Sequence, residues 1–336
     1  MNGKDRISEE RTKWKRFFCL LGAFFQIGAF LLCYNSIIWA ASSGDSKVLK
    51  VMRKSDIFGV ACVKNDIWMA SIMGSVYHSS DLGKTWEWQD TGTKNELFSV
   101  NFVDSNNGWA VGRFGIILHT SDGGKHWAVQ QREAQKKANL YKVQFVNKDK
   151  GWAVGEWSII LRTEDGGKTW VKESLGIDKF LYELFFVDAT HGWLVGESGT
   201  IARTIDGGKT WTKQAYPGEE KSLYGVYFKD LKKGWACGMD GLIILTENGG
   251  EKWRIVEPLP TRSALYAITH AADKLWVIGR NGVMLSSIDG GLTWENSPKL
   301  PVVYNWLGCA STGKSLVFAG GGGTVLVSPD GGETWR

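Results

Sequence analysis

The sequence predicts an all-β seven-bladed propeller, preceded by an N-terminal signal or anchor helix. Two observations carry the propeller prediction: an eight-residue motif occurs seven times, and three apolar segments recur in the same order between its copies. The tryptophans that close the seven copies are 41, 43, 41, 42, 41 and 41 residues apart. An even period in the forties with strand-like segments is typical of propeller blades.

The repeated motif reads [Ser/Thr]-x-[Asp/Asn]-x-Gly-x-x-Trp, and we call it the Asp box. In Thr163–Trp170, Asp165 and Thr163 can accept bonds from nearby backbone N–H groups, and the glycines tolerate positive φ, so a hairpin turn is predicted. The tryptophan then begins a strand with a large apolar surface to bury. The acidic or amide residues are Asp81, Asp122, Asp165, Asp206, Asn248, Asp289 and Asp330. The tryptophans are Trp86, Trp127, Trp170, Trp211, Trp253, Trp294 and Trp335.

Three further strands are predicted in each repeat. The first alternates apolar and polar residues and begins at Phe58, Phe98, Tyr141, Tyr182, Tyr224, Tyr266 and Trp306. The second contains Trp68, Trp109, Trp152, Trp193, Trp235 and Trp276, with Val317 in the last repeat. The third precedes the Asp box. Thirteen of the 18 tryptophans therefore occupy two repeated positions, which indicates packing between blades and not a ligand-stacking surface.

Residues 1–45 are predicted to be a cytoplasmic basic segment plus a signal peptide or membrane anchor, and residues 46–336 the propeller. Lys13–Arg16 is basic, and the stretch from Phe17 to Ser43 carries no charge. This order predicts export of the propeller across the cytoplasmic membrane, to the periplasm or a lumen. Cleavage near Ile38–Ala40 and an uncleaved anchor over residues 17–41 both remain open, because the apolar run is close to the ~20 residues that span a bilayer.

The formal net charge of +5 lies almost entirely in the leader. Residues 1–50 hold eight Lys and Arg against four acids, a balance of +4, so about +1 remains for the repeats. A nearly neutral repeat region has no nucleic-acid signature.

The chain ends of the propeller are expected to meet in blade seven. The fourth strand of that blade has barely begun at Trp335, and Lys47–Met52 has strand character. Because an unpaired sheet edge is an aggregation hazard, we expect Lys47–Met52 to pair into blade seven and close the ring.

No metal or cofactor is expected. The repeats contain Cys62, Cys237 and Cys309 without metal-like spacing, and His78 and His119, equivalent residues of neighbouring blades, make a weak metal case. Cys237 is interpreted as a small buried hydrophobe. Cys62 and Cys309 belong to the first strands of neighbouring blades one and seven, which leaves a disulfide open.

The alternation of Thr-x-Asp-Gly-Gly-Lys-Thr-Trp boxes with Gly-Trp-Ala-Val-Gly segments resembles the photosystem II stability and assembly factor family over residues 46–336. The resemblance implies a non-enzymatic factor that binds membrane-protein subunits outside the cytoplasm, in part through an arginine-rich patch. Before the box, this chain has Arg162 and Arg203, whereas the other blades have His78, His119, Leu245, Ser286 and Val327. The alternative is a periplasmic accessory to a transporter or envelope complex.

Catalysis is not expected. Asp boxes also occur in sialidases, but a sialidase needs an arginine triad, usually begun in an Arg-Ile-Pro stretch that is absent here. Glu156 and Glu197 hold equivalent positions in adjacent blades. A paired-carboxylate site is conceivable there, but solvated hairpin residues are the favoured interpretation.

The partner is expected on the face that carries the second–third hairpins and the links between blades, because variable loops on a rigid scaffold commonly bind. Arg113 and Arg280 are the predicted charged contacts, and Arg162 and Arg203 on the opposite face are the alternative. The other candidate contacts on the hairpins and the longest link are Glu156, Glu197, Met239, Arg132, Lys136 and Lys137.

Overall fold

The computed structural model describes residues 55–131, 138–218, 220–297 and 305–336. In these ranges, the chain forms seven antiparallel sheets, one after another in chain order. The predicted all-β seven-bladed propeller is therefore confirmed. Six blades have four strands and the seventh has three among the described residues. The predicted N-terminal helix lies outside the described residues.

The first three blades contain β1 Ile57–Val63, β2 Asp66–Ser71, β3 Val76–Ser79, β4 Glu87–Gln89, β5 Leu97–Phe102, β6 Gly108–Gly112, β7 Ile117–Thr120, β8 Ala128–Gln131, β9 Leu140–Phe145, β10 Gly151–Gly155, β11 Ile160–Thr163 and β12 Val171–Glu173. Blades four and five contain β13 Leu181–Phe186, β14 Gly192–Gly196, β15 Ile201–Thr204, β16 Thr212–Gln214, β17 Leu223–Phe228, β18 Gly234–Gly238, β19 Ile243–Thr246 and β20 Arg254–Ile255. Blades six and seven contain β21 Leu265–Ala271, β22 Lys274–Gly279, β23 Met284–Ser287, β24 Glu295–Asn296, β25 Trp306–Thr312, β26 Ser315–Gly320 and β27 Val325–Ser328.

Short 3-10 turns join the second and third strands in five blades. They span Arg113–Gly115, Glu156–Ser158, Met239–Gly241, Arg280–Gly282 and Gly321–Gly323. The first strand of each blade contacts the first strand of the next, and β25 contacts β1, so the ring of seven blades is closed.

Each Asp box forms the predicted hairpin turn. In blade three, the Gly167 N–H donates to the Thr163 hydroxyl at 2.9 Å, and the Thr169 N–H donates to Asp165 at 2.9 Å. Gly166 and Gly167 have φ of 75° and 85°, which a side chain would strain. Hydrogen bonds from the Thr169 hydroxyl and backbone lower the pKa of Asp165 to about 2. The carboxylate is thus held ionised by the turn that it organises.

The core between blades is a repeated aromatic stack. Trp152 of β10 lies face to face with Phe186 of the next blade, with ring centroids 3.5 Å apart. The box residue Trp211 meets the edge of the same Phe186 ring at 5.9 Å. Equivalent stacks join Trp68 to Phe102, Trp109 to Phe145 and Trp193 to Phe228. The second-strand tryptophans are buried, as the core prediction requires. Of the box tryptophans, Trp86 and Trp253 are buried, and the other five are partly buried and pack against the core clusters.

The junction of blades one and seven is described only in part. The backbone groups of Arg336 and Val327 exchange two hydrogen bonds of 2.9 and 3.0 Å, which begins a fourth strand in blade seven. The predicted partner strand Lys47–Met52 lies outside the described residues. Cys62, Cys237 and Cys309 are free thiols, so the structure has no Cys62–Cys309 disulfide. Among the described residues, no helix is long and apolar enough to span a membrane.

Candidate partner-binding faces

The antiparallel order of the strands gives the propeller two chemically different faces. The box face holds the first–second turns and the Asp boxes, which touch each other: the Gly123 N–H donates to the Asn106 carbonyl at 2.9 Å. The hairpin face holds the second–third hairpins and the links between blades. There, the Arg113 N–H donates to the Glu96 carbonyl at 2.8 Å.

Arg113 lies on the hairpin face, as predicted from its hairpin position, but it already has an anionic partner. One guanidinium nitrogen donates to both carboxylate oxygens of Glu96, at 2.8 and 3.0 Å. The guanidinium also lies 4.7 Å from the centre of the Phe114 ring. A partner carboxylate at this position would therefore have to compete with Glu96.

Glu156 is not the solvated hairpin residue that was expected. Its side chain is buried, with 4% of the residue exposed. It accepts hydrogen bonds from the Tyr141 hydroxyl at 2.7 Å and from the side chain and backbone of Asn139 at 2.9 and 3.0 Å. Burial raises the pKa of Glu156 despite these bonds. The expectation was wrong because the carboxylate turns inward to satisfy polar groups at the start of β9.

Glu197, the equivalent residue of blade four, is only partly buried. It accepts a longer bond of 3.3 Å from the Phe180 N–H. Arg280 is exposed on the blade-six hairpin. Burial raises the pKa of the nearby Tyr266 hydroxyl, and the positive charge of Arg280 partly offsets that increase. Met239 is half-buried in the blade-five hairpin. Arg132, Lys136 and Lys137 lie outside the described residues.

A ring of aromatic side chains surrounds the propeller axis at the start of the first strands. Its members are Phe58, Phe98, Tyr141, Tyr182, Tyr224 and Tyr266, one from each of blades one to six, with neighbouring ring centroids 5.3 to 6.1 Å apart. The sequence predicted these positions as strand starts but not their mutual contact. The alignment of the repeats could have shown it, because the same position is aromatic in six successive blades.

On the box face of blades one and two, the histidine before the box packs over the tryptophan of the second strand. The rings of His78 and Trp68 are 4.8 Å apart, as are those of His119 and Trp109. Arg162 donates to Glu164 at 2.9 Å and to Glu173 at 3.3 Å. The charge of Arg162 is therefore neutralised within its own blade.

Arg203 differs from Arg162 in having no such partner. Its guanidinium lies 5.7 Å from the centre of the Trp193 ring, and in the described ranges no carboxylate comes within ion-pair distance of it. Its Nε is buried without a hydrogen-bond acceptor. Arg203 lines an open groove of about 380 Å³ between the outer edge of blade four and the box of blade five. The groove is also lined by Ile205, Thr210, Thr212, Lys213, Gln214, Ala215, Gly250 and Glu251.

Exposed aliphatic side chains continue from this groove across blades five and six. They are Ile205, Leu231, Ile288 and Leu292, with exposed fractions of 62, 42, 78 and 47%. The Leu231 carbonyl and the Arg203 guanidinium both lie against Gly249. Lys233, which lies 5.7 Å over the Trp235 ring, reaches Gly290 of the blade-six box. The variable positions of the boxes give this sector of the box face cationic and aliphatic groups together.

A sequence profile of the family described as photosynthesis system II assembly factor YCF48 matches this chain. The matched segments are residues 82–176, 170–257 and 217–303. Together they run without a gap from residue 82 to residue 303, more than half of the chain. None of the curated proteins compared with the chain matches it.

Several solved propellers share the fold. A structure of YCF48 bound to a D1 peptide is 20% identical, covers 82% of this chain and 92% of its own, and has a TM-score of 0.70. YCF48 from Cyanidioschyzon merolae is 19% identical over 83% of this chain and 97% of its own, with a TM-score of 0.71. Virginiamycin B lyase from Staphylococcus aureus is 13% identical over 82 and 94%, with a TM-score of 0.71. These identities show a common fold alone.

Proposed function

Because this chain belongs to the family described as photosynthesis system II assembly factor YCF48, we propose that it is a non-catalytic propeller that binds a membrane-protein subunit while its complex is assembled. The D1 peptide in the YCF48 structure supports this, since it is a segment of another protein held by a propeller of the same fold. The proposal places the propeller outside the cytoplasm, in keeping with the uncharged stretch from Phe17 to Ser43.

The box face around Arg203 is the proposed docking site. The Arg203 guanidinium is held over Trp193 with no carboxylate of the described residues at ion-pair distance, so its charge is available to a partner. Arginine forms strong charge-assisted bonds with carboxylates, and the groove beside it leaves space for a side chain or an extended segment. The partner segment that best fits carries an acidic residue close to aliphatic residues, which would lie against Ile205 and Leu231.

This proposal departs from the preference for Arg113 and Arg280 drawn from the sequence. The ion pair of Arg113 with Glu96 makes Arg113 a weaker candidate for a partner contact. Breaking this pair would cost part of the free energy gained from a new ion pair with the partner. A role for Arg280 stays a prediction. The single observation that carries the choice of face is the unneutralised Arg203 in its groove.

The hydrogen bonding of the conspicuous carboxylates also favours a binding role over catalysis. Asp165 and its counterparts are saturated by bonds within their own turns, and Glu156 is enclosed by Tyr141 and Asn139. An acid or base catalyst exchanges a proton with its substrate, whereas these carboxylates already accept hydrogen bonds from groups of the fold. Since unrelated functions share propeller folds, the lyase neighbour by itself does not favour catalysis.

The test is capture of subunits from solubilised membranes of the source organism by the tagged full chain. We expect Arg203→Glu to reduce capture at least tenfold at an unchanged melting temperature. Arg280→Glu is the control, because it places the same charge change on the opposite face. Loss of capture with Arg113→Glu and Arg280→Glu but not with Arg203→Glu would assign the partner to the hairpin face.

The captured proteins also decide between the two kinds of complex. Photosystem subunits would support a role like that of the family. Transporter or envelope subunits would identify the accessory protein that the sequence leaves as the alternative. If wild type captures no membrane-protein subunit, the proposed function is wrong.

A further inference from the structure

We propose that the hairpin face at blades one to three rests on the surface of the lipid bilayer, with Met73 and Phe114 as its apolar contacts. This surface is separate from the groove at Arg203 and lies on the opposite face. The inference goes beyond partner binding, because it assigns the orientation of the propeller on the membrane.

The tips of the second–third hairpins divide into two groups around the ring. In blades one, two and three the tip residue is Met73, Phe114 or Trp157, whereas in blades four to seven it is Ser198, Asp240, Asn281 or Gly322. Met73 is 54% exposed and Phe114 44% exposed, and Trp157 is half-buried against Phe180. The apolar tips are therefore confined to one sector of the face.

The backbone makes an aromatic residue a costly choice at two of these tips. Phe114 has φ of 60° and Trp157 has φ of 57°, in the left-handed region. Asp240 and Asn281 adopt the same conformation with φ of 56° and 58°. Asparagine and aspartate occupy this region far more readily than bulky residues. A polar residue would adopt this conformation more readily than an aromatic one. Trp157 gains a contact with Phe180 in return, whereas the Phe114 ring stays 44% exposed.

The apolar hairpins of blades one and two form one continuous surface. Gly74 packs against the carbonyl oxygens of Thr93 and Asn95 in the link to blade two, leaving no room for a Cβ. The same link then meets the blade-two hairpin through the bond from the Arg113 N–H to Glu96. Lys94 is exposed on this link. Exposed apolar tips on a polar surface suit contact with the boundary between acyl chains and headgroups.

The chain joins the propeller in this same sector. The Ile72 N–H donates to the Asp56 carbonyl at 3.1 Å, one residue from Met73. The Asp56 carboxylate accepts from the Gly322 N–H at 2.8 Å, which fixes it beside the blade-seven hairpin. Asp56, near the start of the described propeller, therefore lies on the hairpin face beside the most exposed apolar tip.

The sequence just before the described residues is basic. Residues 44–54 contain Lys47, Lys50, Arg53 and Lys54 against one acid, Asp45, and a segment of this composition is attracted to anionic lipid. A weak apolar contact through Met73 and Phe114 adds to this attraction.

The test places a photoreactive benzoylphenylalanine at position 73 or 114 of the full chain. The protein is reconstituted into nanodiscs of phosphatidylglycerol and phosphatidylethanolamine, and lipid adducts are measured by mass spectrometry after illumination. Position 288 is the control, because Ile288 is 78% exposed and lies on the box face. We expect at least tenfold more lipid adduct at 73 and 114 than at 288, and equal yields would overturn the proposal.

A second variant separates membrane contact from folding. Phe114→Asn removes the apolar tip but places a residue suited to φ of 60°, so the melting temperature should not fall. In the chain labelled at position 73, this substitution should lower the lipid adduct severalfold. An unchanged yield would contradict a shared contact. In native membranes, adducts of positions 73 and 114 with a protein instead of lipid would assign the face to a protein partner and overturn the proposal. Neither result depends on the groove at Arg203.

Discussion

The indole N–H of Trp152 donates to the backbone carbonyl of Gly207 at 2.8 Å, across the boundary between blades three and four. The same bond joins Trp68 to Gly123, Trp109 to Gly166, Trp193 to Gly249 and Trp235 to Gly290. The Asp boxes of blades two to six therefore have two roles: each turns its own blade and accepts a hydrogen bond from the preceding one. This explains why the box and the second-strand tryptophan recur together.

Replacing Trp152 by phenylalanine should destabilise the propeller. Phe keeps an aromatic ring against Phe186 but leaves the buried Gly207 carbonyl without its donor, at a cost of about 1–3 kcal/mol. We expect a fall of several degrees in melting temperature. Trp276→Phe is the control, since the Trp276 Nε1 is buried without an acceptor in the described structure. Equal losses in the two variants would show that ring size, and not the hydrogen bond, sets the effect.

Glu156 should make the free energy of unfolding depend on pH above the ordinary glutamate pKa of 4.5. Burial raises the pKa of Glu156 above its ordinary 4.5, so the folded protein binds the proton more tightly than the unfolded chain. Its contribution to the free energy of unfolding is therefore greatest below pH 4.5 and falls as pH rises through the raised pKa. Urea titrations of wild type and Glu156→Gln between pH 4 and 7 measure the difference. Glu197→Gln is the matched control in blade four, and the idea fails if wild type and Glu156→Gln change in parallel.

Asp165 should make the free energy of unfolding fall as the pH becomes acid, opposite to the effect of Glu156. Its pKa is lowered to about 2 from 3.8, so its stabilising contribution is present above pH 3.8 and is lost as pH falls towards 2. Asp165→Asn should cost less than about 1 kcal/mol at pH 7, because Asn248 performs the same role in blade five. Asp165→Ala should cost more, since both Thr169 donors lose their acceptor. Thermal unfolding at pH 7 and pH 3 tests both statements, and an Asn variant as unstable as the Ala variant would refute them.

Deleting Lys47–Met52 tests ring closure. If this segment supplies the rest of the fourth strand beside β27, its loss leaves that edge unpaired beyond the contact of Val327 with Arg336. We expect a melting temperature lower by several degrees, or loss of soluble expression. Replacing the same six residues by a Gly-Ser linker of equal length controls for the tether. If both variants kept the melting temperature of the wild type, the ring would close without this segment.

Reporter fusions test the predicted topology. A reporter that works only outside the cytoplasm, fused after Ser46, should be active, because Lys13–Arg16 holds the N-terminus inside while the uncharged stretch crosses. The matching fusion with a cytoplasm-only reporter should be inactive. Activity of the cytoplasmic reporter would place the propeller on the wrong side for the proposed function and for the proposed membrane contact.

The sequence alone determined the architecture, because the chemistry that defines a blade is local. Thr163, Asp165 and the two glycines organise their turn within five residues, and the apolar strand patterns repeat at the same offsets from each box. Seven copies of a self-contained turn at an even period leave few other folds. The roles of Trp152 and Trp211 as core residues followed from the same repetition.

Only the tertiary structure decided which charged residues are available to a partner. Glu96 and Arg113 are 17 residues apart and belong to different loops, and Glu156 is buried because Tyr141 and Asn139 meet it from another strand and link. Arg162 and Arg203 occupy equivalent positions in adjacent blades, yet one is neutralised by Glu173 and the other faces a groove. The free energy of a charge depends on the groups around it in space, and in a propeller those groups come from neighbouring strands and blades that the repeat pattern does not specify.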